Sequence, residues 1–254
     1  MGTTAELKEQ KSKLDKELED AAAYVKTMLP SPIHDGSIHI DWQFVPSASL
    51  GGDAFGYHWL DNDRFVIYLL DVSGHGVGAA LLSVSVLNAL RSQSLPDTDF
   101  KKPSQVLKTL NTTFQGERHN DMFFTIWYGI YHVPTRILTY ASAGHPPALL
   151  FNKESNMIKL NTGNFVIGGM PDVSYQQGEQ RIDNDALLFV FSDGVYEIEK
   201  KDGSMWRFSE YISLISSLSS DEHDSLDNLY DQTLQISKED SLKDDYTILK
   251  VVFI

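Results

Sequence analysis

The chain has 254 residues, 42% of them hydrophobic and 22% charged, and a formal net charge of −14 at pH 7, a composition typical of a globular protein with a sizeable core. This acidic field repels nucleic-acid backbones and anionic lipid surfaces, so we expect neither nucleic acid nor membrane as a partner. The sequence has no cysteine, no apolar run near the roughly 18 residues of a membrane span and no signal peptide, so we expect a cytoplasmic protein without disulfides or thiolate chemistry.

The first predicted element is a helix over residues 5–29. This segment contains neither glycine nor proline, and Pro30 and Pro32 end it. Its apolar residues recur at alternating spacings of four and three, the seam of a two-stranded coiled coil: Leu14, Leu18, Ala21, Val25 and Met28. Two interpretations stay open, a helix packed on its own domain and a helix that forms a dimer in a signalling protein.

A strand hairpin is predicted next. Residues 37–46 alternate apolar and polar side chains, as in a half-buried strand, and residues 65–70 form an unbroken apolar run, as in a buried one. If the segment after Asp53 pairs with this buried strand across a turn centred on residue 62, Asp53 and Asp71 lie side by side. Two converging carboxylates repel each other unless a cation lies between them, so the hairpin favours a metal site.

Helices and strands follow one another through the rest of the chain. Helices are predicted over 77–92, from Pro103 onward and twice within 207–237. Strands are predicted over 122–131, 137–142, 148–151, 186–191 and the last residues. Residues 152–185 are expected to be irregular, with short strands and a mobile loop. This order of blocks predicts an α+β layered domain with antiparallel sheets and helices packed outside.

The turn after the buried strand reads Asp71-Val72-Ser73-Gly74-His75-Gly76. A carboxylate at a strand end that faces glycines and a helix N-terminus suits a hard cation or a phosphate. The alternative is a strand-to-helix turn in which Asp71 only caps the backbone.

Carboxylates recur at the ends of the predicted strands, as Asp53, Asp71, Asp193 and Asp244. Without cysteine or a His-x-x-x-His pair, they describe an all-oxygen site that prefers Mg²⁺ or Mn²⁺ over zinc. Two such ions could clamp a phosphoryl group, as in two-metal hydrolysis.

Six motifs carry a resemblance to a known family: Gly51-Gly52-Asp53, Asp71-Val-Ser-Gly-His-Gly76, Met122-Phe-Phe-Thr125, Ala143-Gly-His145, Phe191-Ser-Asp-Gly194 and Asp244-Asp-Tyr-Thr247. In order and spacing, over about residues 37–254, they resemble the bacterial metal-dependent protein phosphatase 2C family of the SpoIIE/RsbU type. The resemblance implies a four-layer α-β-β-α sandwich with two Mn²⁺ or Mg²⁺ ions at one end of its sheets.

The resemblance also assigns roles to the carboxylates. Asp71 would bridge both metals, and the Val72 carbonyl would complete one site. Asp193 and Asp244 would hold the other metal, with Asp245 as the alternate ligand, and Asp53 would act on the first metal directly or through water. The nucleophile would be a metal-bridging hydroxide.

The phosphate-binding and acid roles rest on fewer matches. Eukaryotic relatives carry a histidine where this chain has Ser73, which leaves His75 either as the acid for the leaving alkoxide or as a cap of the following helix. Backbone N–H groups around Gly74 and Gly76, with Gly52 and Ser73, would hold the phosphate. His145 is expected to be a structural histidine that hydrogen-bonds the backbone.

The implied function is a protein serine/threonine phosphatase domain over residues 35–254. Its substrate would be a phosphorylated anti-sigma-factor antagonist of the STAS type, in a partner-switching stress response. The 5–29 helix would link it to an upstream sensor or receiver domain and support a homodimer. The alternatives are a catalytically silent adaptor of the same fold, and a hydrolase of small phosphate esters.

Overall fold

The computed structural model describes residues 4–47, 50–152, 156–217, 226–239 and 241–254. Its helices are α1 (Thr4–Thr27), α2 (Val77–Arg91), α3 (Pro103–Thr113), α4 (Phe208–Ser217) and α5 (Leu226–Ile236). Its strands are β1 (Ile38–Val45), β2 (Ala54–Trp59), β3 (Arg64–Val72), β4 (Phe124–His132), β5 (Ile137–Ala143), β6 (Ala148–Phe151), β7 (Met157–Leu160), β8 (Gly178–Arg181), β9 (Ala186–Phe191) and β10 (Tyr246–Phe253).

The strands form two antiparallel sheets. The first sheet has the order β1-β10-β9-β6-β7, and the second has the order β2-β3-β4-β5-β8. One apolar core lies between the sheets, a second joins the second sheet to α2 and α3, and a third joins the first sheet to α4 and α5. The four-layer α-β-β-α sandwich predicted from the sequence is therefore confirmed.

The apolar run of β3 is explained by burial on both faces. Phe65, Ile67 and Leu69 belong to the core between the sheets. The residues between them, Val66 and Tyr68 among others, belong to the core under α2 and α3. Successive side chains of a strand point to opposite faces. Because both faces of β3 are buried, its sequence is a continuous apolar run and does not alternate with polar residues.

The β2–β3 hairpin has the predicted register. Ala54 pairs with Leu70 and Trp59 with Phe65, so the next pair outward is Asp53 and Asp71. The turn is closed by Asp61, whose Oδ1 accepts the backbone N–H groups of Asp63 and Arg64, both at 2.9 Å. The hairpin prediction is confirmed.

The segment directly after α1 is anchored on the sandwich. Leu29 is buried, the backbone carbonyl of Pro30 accepts the Trp42 indole N–H at 3.0 Å, and Arg91 of α2 donates to the Met28 carbonyl. Upstream, Leu14 and Tyr24 are more than half exposed. Within the described residues, no helix combines the length and the apolar character that a membrane crossing requires.

Candidate active site

The four predicted carboxylates lie at one end of the sandwich, and both sheets contribute to them. Asp53 directly precedes β2 and Asp71 is the second-last residue of β3, in the second sheet. Asp193 and Asp244 flank the paired strands β9 and β10 of the first sheet. Asp71 lies close enough to Asp193 and Asp53 for their side chains to interact directly.

Asp71 has the environment expected of a ligand to a cation. Burial raises its pKa to about 8, and the charges of Asp193, Asp244 and Asp245 add to this rise. A carboxyl group in such surroundings is costly to ionise unless a positive charge compensates it.

Asp53 is more deeply buried, at 2% exposure. Burial raises its pKa well above the usual value, and the charges of Asp71 and Asp245 act in the same direction. Its Oδ2 accepts the Thr247 hydroxyl of β10, whereas its buried Oδ1 has no hydrogen-bond partner within the described structure. A buried carboxylate oxygen without a donor is a natural position for a cation or an ordered water.

Asp193 and Asp244 complete the group. Burial raises the pKa of Asp193 to about 6, with further contributions from Glu197 and Asp244. Burial likewise raises the pKa of Asp244, although its side chain is the most exposed of the four. The Oδ1 atom of Asp193 is buried and has no partner within the described part of the chain.

Asp245, the alternate ligand, has both carboxylate oxygens occupied by hydrogen bonds. Oδ1 accepts the N–H and hydroxyl of Ser47 at 2.8 and 3.1 Å, and Oδ2 accepts the N–H of Gly52 at 2.7 Å and that of Asp53 at 3.3 Å. Hydrogen bonds from the protein to both oxygens of a carboxylate hold the donating backbone in place. Asp245 thus orders the loop that carries Asp53.

Gly52 permits the close approach of this loop to the end of β3. A Cβ atom on Gly52 would lie 2.5 Å from the backbone oxygen of Val72 and 3.3 Å from that of Gly74. The Val72 carbonyl is the predicted backbone ligand. Because Gly52 has no side chain, the space next to this carbonyl oxygen stays free.

The predicted phosphate loop begins directly after β3. Gly74 and Gly76 have φ values of +86° and +89°, which glycine adopts without strain. The N–H of Gly76 donates to the Leu50 carbonyl and that of Ser73 to the Phe123 carbonyl, at 3.0 and 2.9 Å. These two groups therefore shape the loop, and His75 between them is exposed.

His145 contacts both a side chain and the backbone. Its Nδ1 lies 2.8 Å from the Thr125 hydroxyl, and the backbone of Phe191 lies close enough to the ring to affect its pKa. Burial lowers the pKa of His145 to about 3, so the ring is neutral.

The donor set fits one or two hard divalent ions. All the candidate ligands are oxygen atoms, the type that hard divalent cations prefer. Within the part of the chain that the structure describes, Oδ1 of Asp53 and Oδ1 of Asp193 are buried without hydrogen-bond partners. Among the described residues, no three acidic or histidine side chains already surround one point closely enough to form a finished cage. Bare carboxylates repel one another, so an ion would draw them together.

Sequence reasoning missed two supporting residues, Thr247 and Ser192. The Thr247 hydroxyl donates a hydrogen bond to Asp53. The Ser192 hydroxyl donates to the Asp245 carbonyl at 3.3 Å and also lowers the pKa of Asp53. Both belong to quoted motifs, but only the folded chain brings them to a carboxylate about 140 to 190 positions away.

A testable contrast follows for the aspartate pair. Asp245→Ala is expected to lower the free energy of unfolding by roughly 1–3 kcal/mol, because the buried N–H groups of Gly52 and Asp53 lose their acceptor. Asp244→Ala is expected to have a smaller effect, because Asp244 is exposed and, in the described structure, accepts the N–H of Asp245 at 2.9 Å in a partly buried hydrogen bond. Urea denaturation of both metal-free variants checks this, and equal losses of stability would contradict it.

Comparison with known proteins gives the family. Residues 61–253 match the sequence model of the Stage II sporulation protein E (SpoIIE) family. The phosphoserine phosphatase RsbU of Bacillus subtilis (strain 168) is 31% identical over 236 residues, which cover 92% of this chain and 69% of RsbU.

Solved structures have the same fold. The SiaA-PP2C domain of Pseudomonas aeruginosa superposes with a TM-score of 0.82 at 18% identity, over 96% of this chain and 99% of the domain. RsbX, solved in complex with magnesium, superposes with a TM-score of 0.64 at 14% identity, over 88% of this chain and 99% of RsbX. The chain therefore belongs to the SpoIIE family, and it is a phosphatase with the PP2C fold.

Proposed function

We propose that this chain is a metal-dependent protein serine/threonine phosphatase, which hydrolyses phosphoserine or phosphothreonine on a regulatory protein. One observation carries the proposal: Asp53, Asp71, Asp193 and Asp244 lie at one end of the two sheets with raised pKa values. Within the described part of the chain, Oδ1 of Asp53 and of Asp193 are buried without hydrogen-bond partners. The phosphoserine phosphatase activity named for RsbU supports the substrate class.

Each residue has a role that follows from its position. Asp71 and Asp193, one from each sheet, would hold divalent ions between the sheets, and Asp244 would add a more exposed carboxylate. Asp53 and the Val72 carbonyl would supply further oxygen ligands from the second sheet. Mn²⁺ or Mg²⁺ bound there would neutralise the carboxylates, polarise the phosphoryl oxygens and lower the pKa of an attacking water.

The exposed loop after β3 would bind the phosphate group of the substrate. His75 lies on this loop, and its charge interacts with that of Asp244, so it lies near enough to the site to be a candidate donor of a proton to the leaving alkoxide. The positive φ values of Gly74 and Gly76 turn the backbone around this histidine.

The partner proposed for the site is a protein, a phosphorylated STAS-type anti-sigma-factor antagonist. Asp244 and His75 are both exposed, so this side of the site is open to solvent. Protein substrates place their phosphoseryl group on an exposed surface, which an open carboxylate site can reach.

Hydrolysis of para-nitrophenyl phosphate tests the phosphatase activity directly. We expect turnover with Mn²⁺, none with EDTA, and a loss of more than about 100-fold for Asp193→Ala, since a direct ligand should matter more than the outer partners whose loss costs about 10–100-fold. A folded protein that binds Mn²⁺ and shows no turnover with this substrate or with the phosphoprotein would support the silent adaptor instead.

The α1 helix supports a second proposal, a homodimer through residues 5–29 that responds to an upstream sensor or receiver domain. Leu14 of the predicted seam is 56% exposed, and Leu18, Val25 and Met28 are partly exposed on the same stripe. Leu18→Glu is expected to convert a dimer to a monomer in light-scattering measurements. Exchange at the neighbouring off-seam position, Lys16→Glu, is the matched control, and an unchanged mass for Leu18→Glu would contradict the proposal.

A further inference from the structure

His145 lies where the chain crosses from one sheet to the other. Strand β5 of the second sheet ends at Ala143, and β6 of the first sheet begins at Ala148. The ring is 3% exposed. The chain is also tightly packed here, because a Cβ atom on Gly144 would lie 2.3 Å from Val166 Cγ1 and 3.5 Å from Thr125 Cγ2. The position of the ring between the sheets is thus closely defined.

The ring has a neighbour on each side of the candidate site. Nδ1 lies 2.8 Å from the hydroxyl of Thr125, and Thr125 is the register partner of Asp71 across β3 and β4. The backbone of Phe191 lies close enough to the ring to affect its pKa, and Nε2 is buried without a hydrogen-bond partner in the described structure. Phe191 is the last residue of β9, two positions before Asp193.

One side chain therefore connects β4, which pairs with the strand of Asp71, to the end of β9, which precedes Asp193. The geometry of this connection is independent of pH over the physiological range, because the buried ring is neutral.

We propose that the Thr125–His145 pair is a positioning link, which sets the separation of Asp71 and Asp193 and thereby the affinity of the site for a divalent ion. The inference rests on the proposed function, since it concerns the ion that this function requires. Partners that orient metal ligands from the outer shell typically change metal affinity or activity by about 10–100-fold when they are removed.

Calorimetric titration of Mn²⁺ into the metal-free full chain tests the link. Thr125→Val keeps the shape of the side chain and removes its hydroxyl, whereas Thr125→Ser keeps the hydroxyl and serves as the matched control. We expect Thr125→Val to bind Mn²⁺ about 10-fold more weakly and Thr125→Ser to bind it nearly as well as the unaltered chain. The shape of the pH–rate profile should be the same in all three proteins, because the ring does not titrate.

The outcomes separate the inference from the function on which it rests. A Thr125→Val protein with a lower melting temperature and unchanged Mn²⁺ affinity would show that the pair is only structural, and the inference would be wrong. An unaltered chain that binds no Mn²⁺ would overturn the proposed function itself. If Thr125→Val does not fold, His145→Asn carries the same test, since it keeps a polar atom beside Thr125 and loses the contact with Phe191.

Discussion

Asp71→Asn is expected to abolish Mn²⁺-dependent phosphatase activity while making the metal-free protein more stable. Asp71 interacts with aspartates that both sheets position, so its loss should reduce turnover by more than about 100-fold, beyond the range that outer partners give. Its buried carboxyl group, with a pKa raised to about 8 by burial and by three neighbouring aspartates, opposes folding whenever it is ionised. An amide of the same shape removes that opposition.

The pH dependence has a definite sign. The pKa of Asp71 is 3.8 in the unfolded reference and about 8 in the folded chain, so between these values the folded state holds the extra proton. Stability from this group is complete below the unfolded pKa and is lost as the pH rises through the folded pKa. The metal-free protein should therefore become less stable from pH 5 to pH 8, and Asp71→Asn should flatten this slope.

Thermal unfolding of the metal-free proteins at pH 8 measures the gain. Each pKa unit corresponds to about 1.4 kcal/mol, and 1 kcal/mol moves the melting temperature of a chain of this size by about 2–4 °C. We expect an increase of at least about 2 °C for Asp71→Asn. Asp63→Asn, in the exposed hairpin turn, is the control and should change nothing. A lower melting temperature for Asp71→Asn would contradict the electrostatic account.

Gly52→Ala is the second change with a large expected effect. The added Cβ would lie 2.5 Å from the Val72 carbonyl oxygen, a distance that real Cβ atoms essentially never show, so the loop or the end of β3 has to move. We expect a loss of roughly 1–3 kcal/mol in the free energy of unfolding, as in other overpacked sites. The displaced carbonyl should also lower the Mn²⁺ affinity by at least about 10-fold.

Gly78→Ala is the matched control for this change. Gly78 lies in the first turn of α2, and a Cβ there would have only the Met122 side chain near it, at 3.8 Å. Since alanine is favoured over glycine in helices, stability should be unchanged or higher by up to about 1 kcal/mol. Equal behaviour of the two alanine variants in urea denaturation and Mn²⁺ titration would show that space at Gly52 is unimportant.

Local patterns were enough to predict much of the fold. The hairpin register follows from the turn at Asp61 and the unbroken apolar run of β3, because an antiparallel pair joined by a short turn has few possible alignments. The same register brings Asp53 beside Asp71. The layer order likewise follows from the sequence of strand and helix blocks and from the motifs that resemble the family.

The supporting contacts of the site were beyond local patterns. Asp244 and Asp245 are neighbours with the same side chain, and only the folded chain shows that Asp245 faces the N–H groups of Ser47 and Gly52. The partner of His145 was equally hidden, since Thr125 lies 20 residues away on another strand. Such contacts depend on how the two sheets meet, which periodicity within one segment does not encode.

The division of the carboxylates between two sheets has a consequence for kinetics. Asp53 and Asp71 can come together as soon as one hairpin forms, whereas Asp193 and Asp244 join them only when the sheets have packed face to face. An ion that needs both pairs gains its full affinity only when the two sheets have packed, which we expect to follow the main folding barrier. Mn²⁺ should therefore slow unfolding much more than it speeds refolding, so that the bound ion prolongs the lifetime of the folded chain.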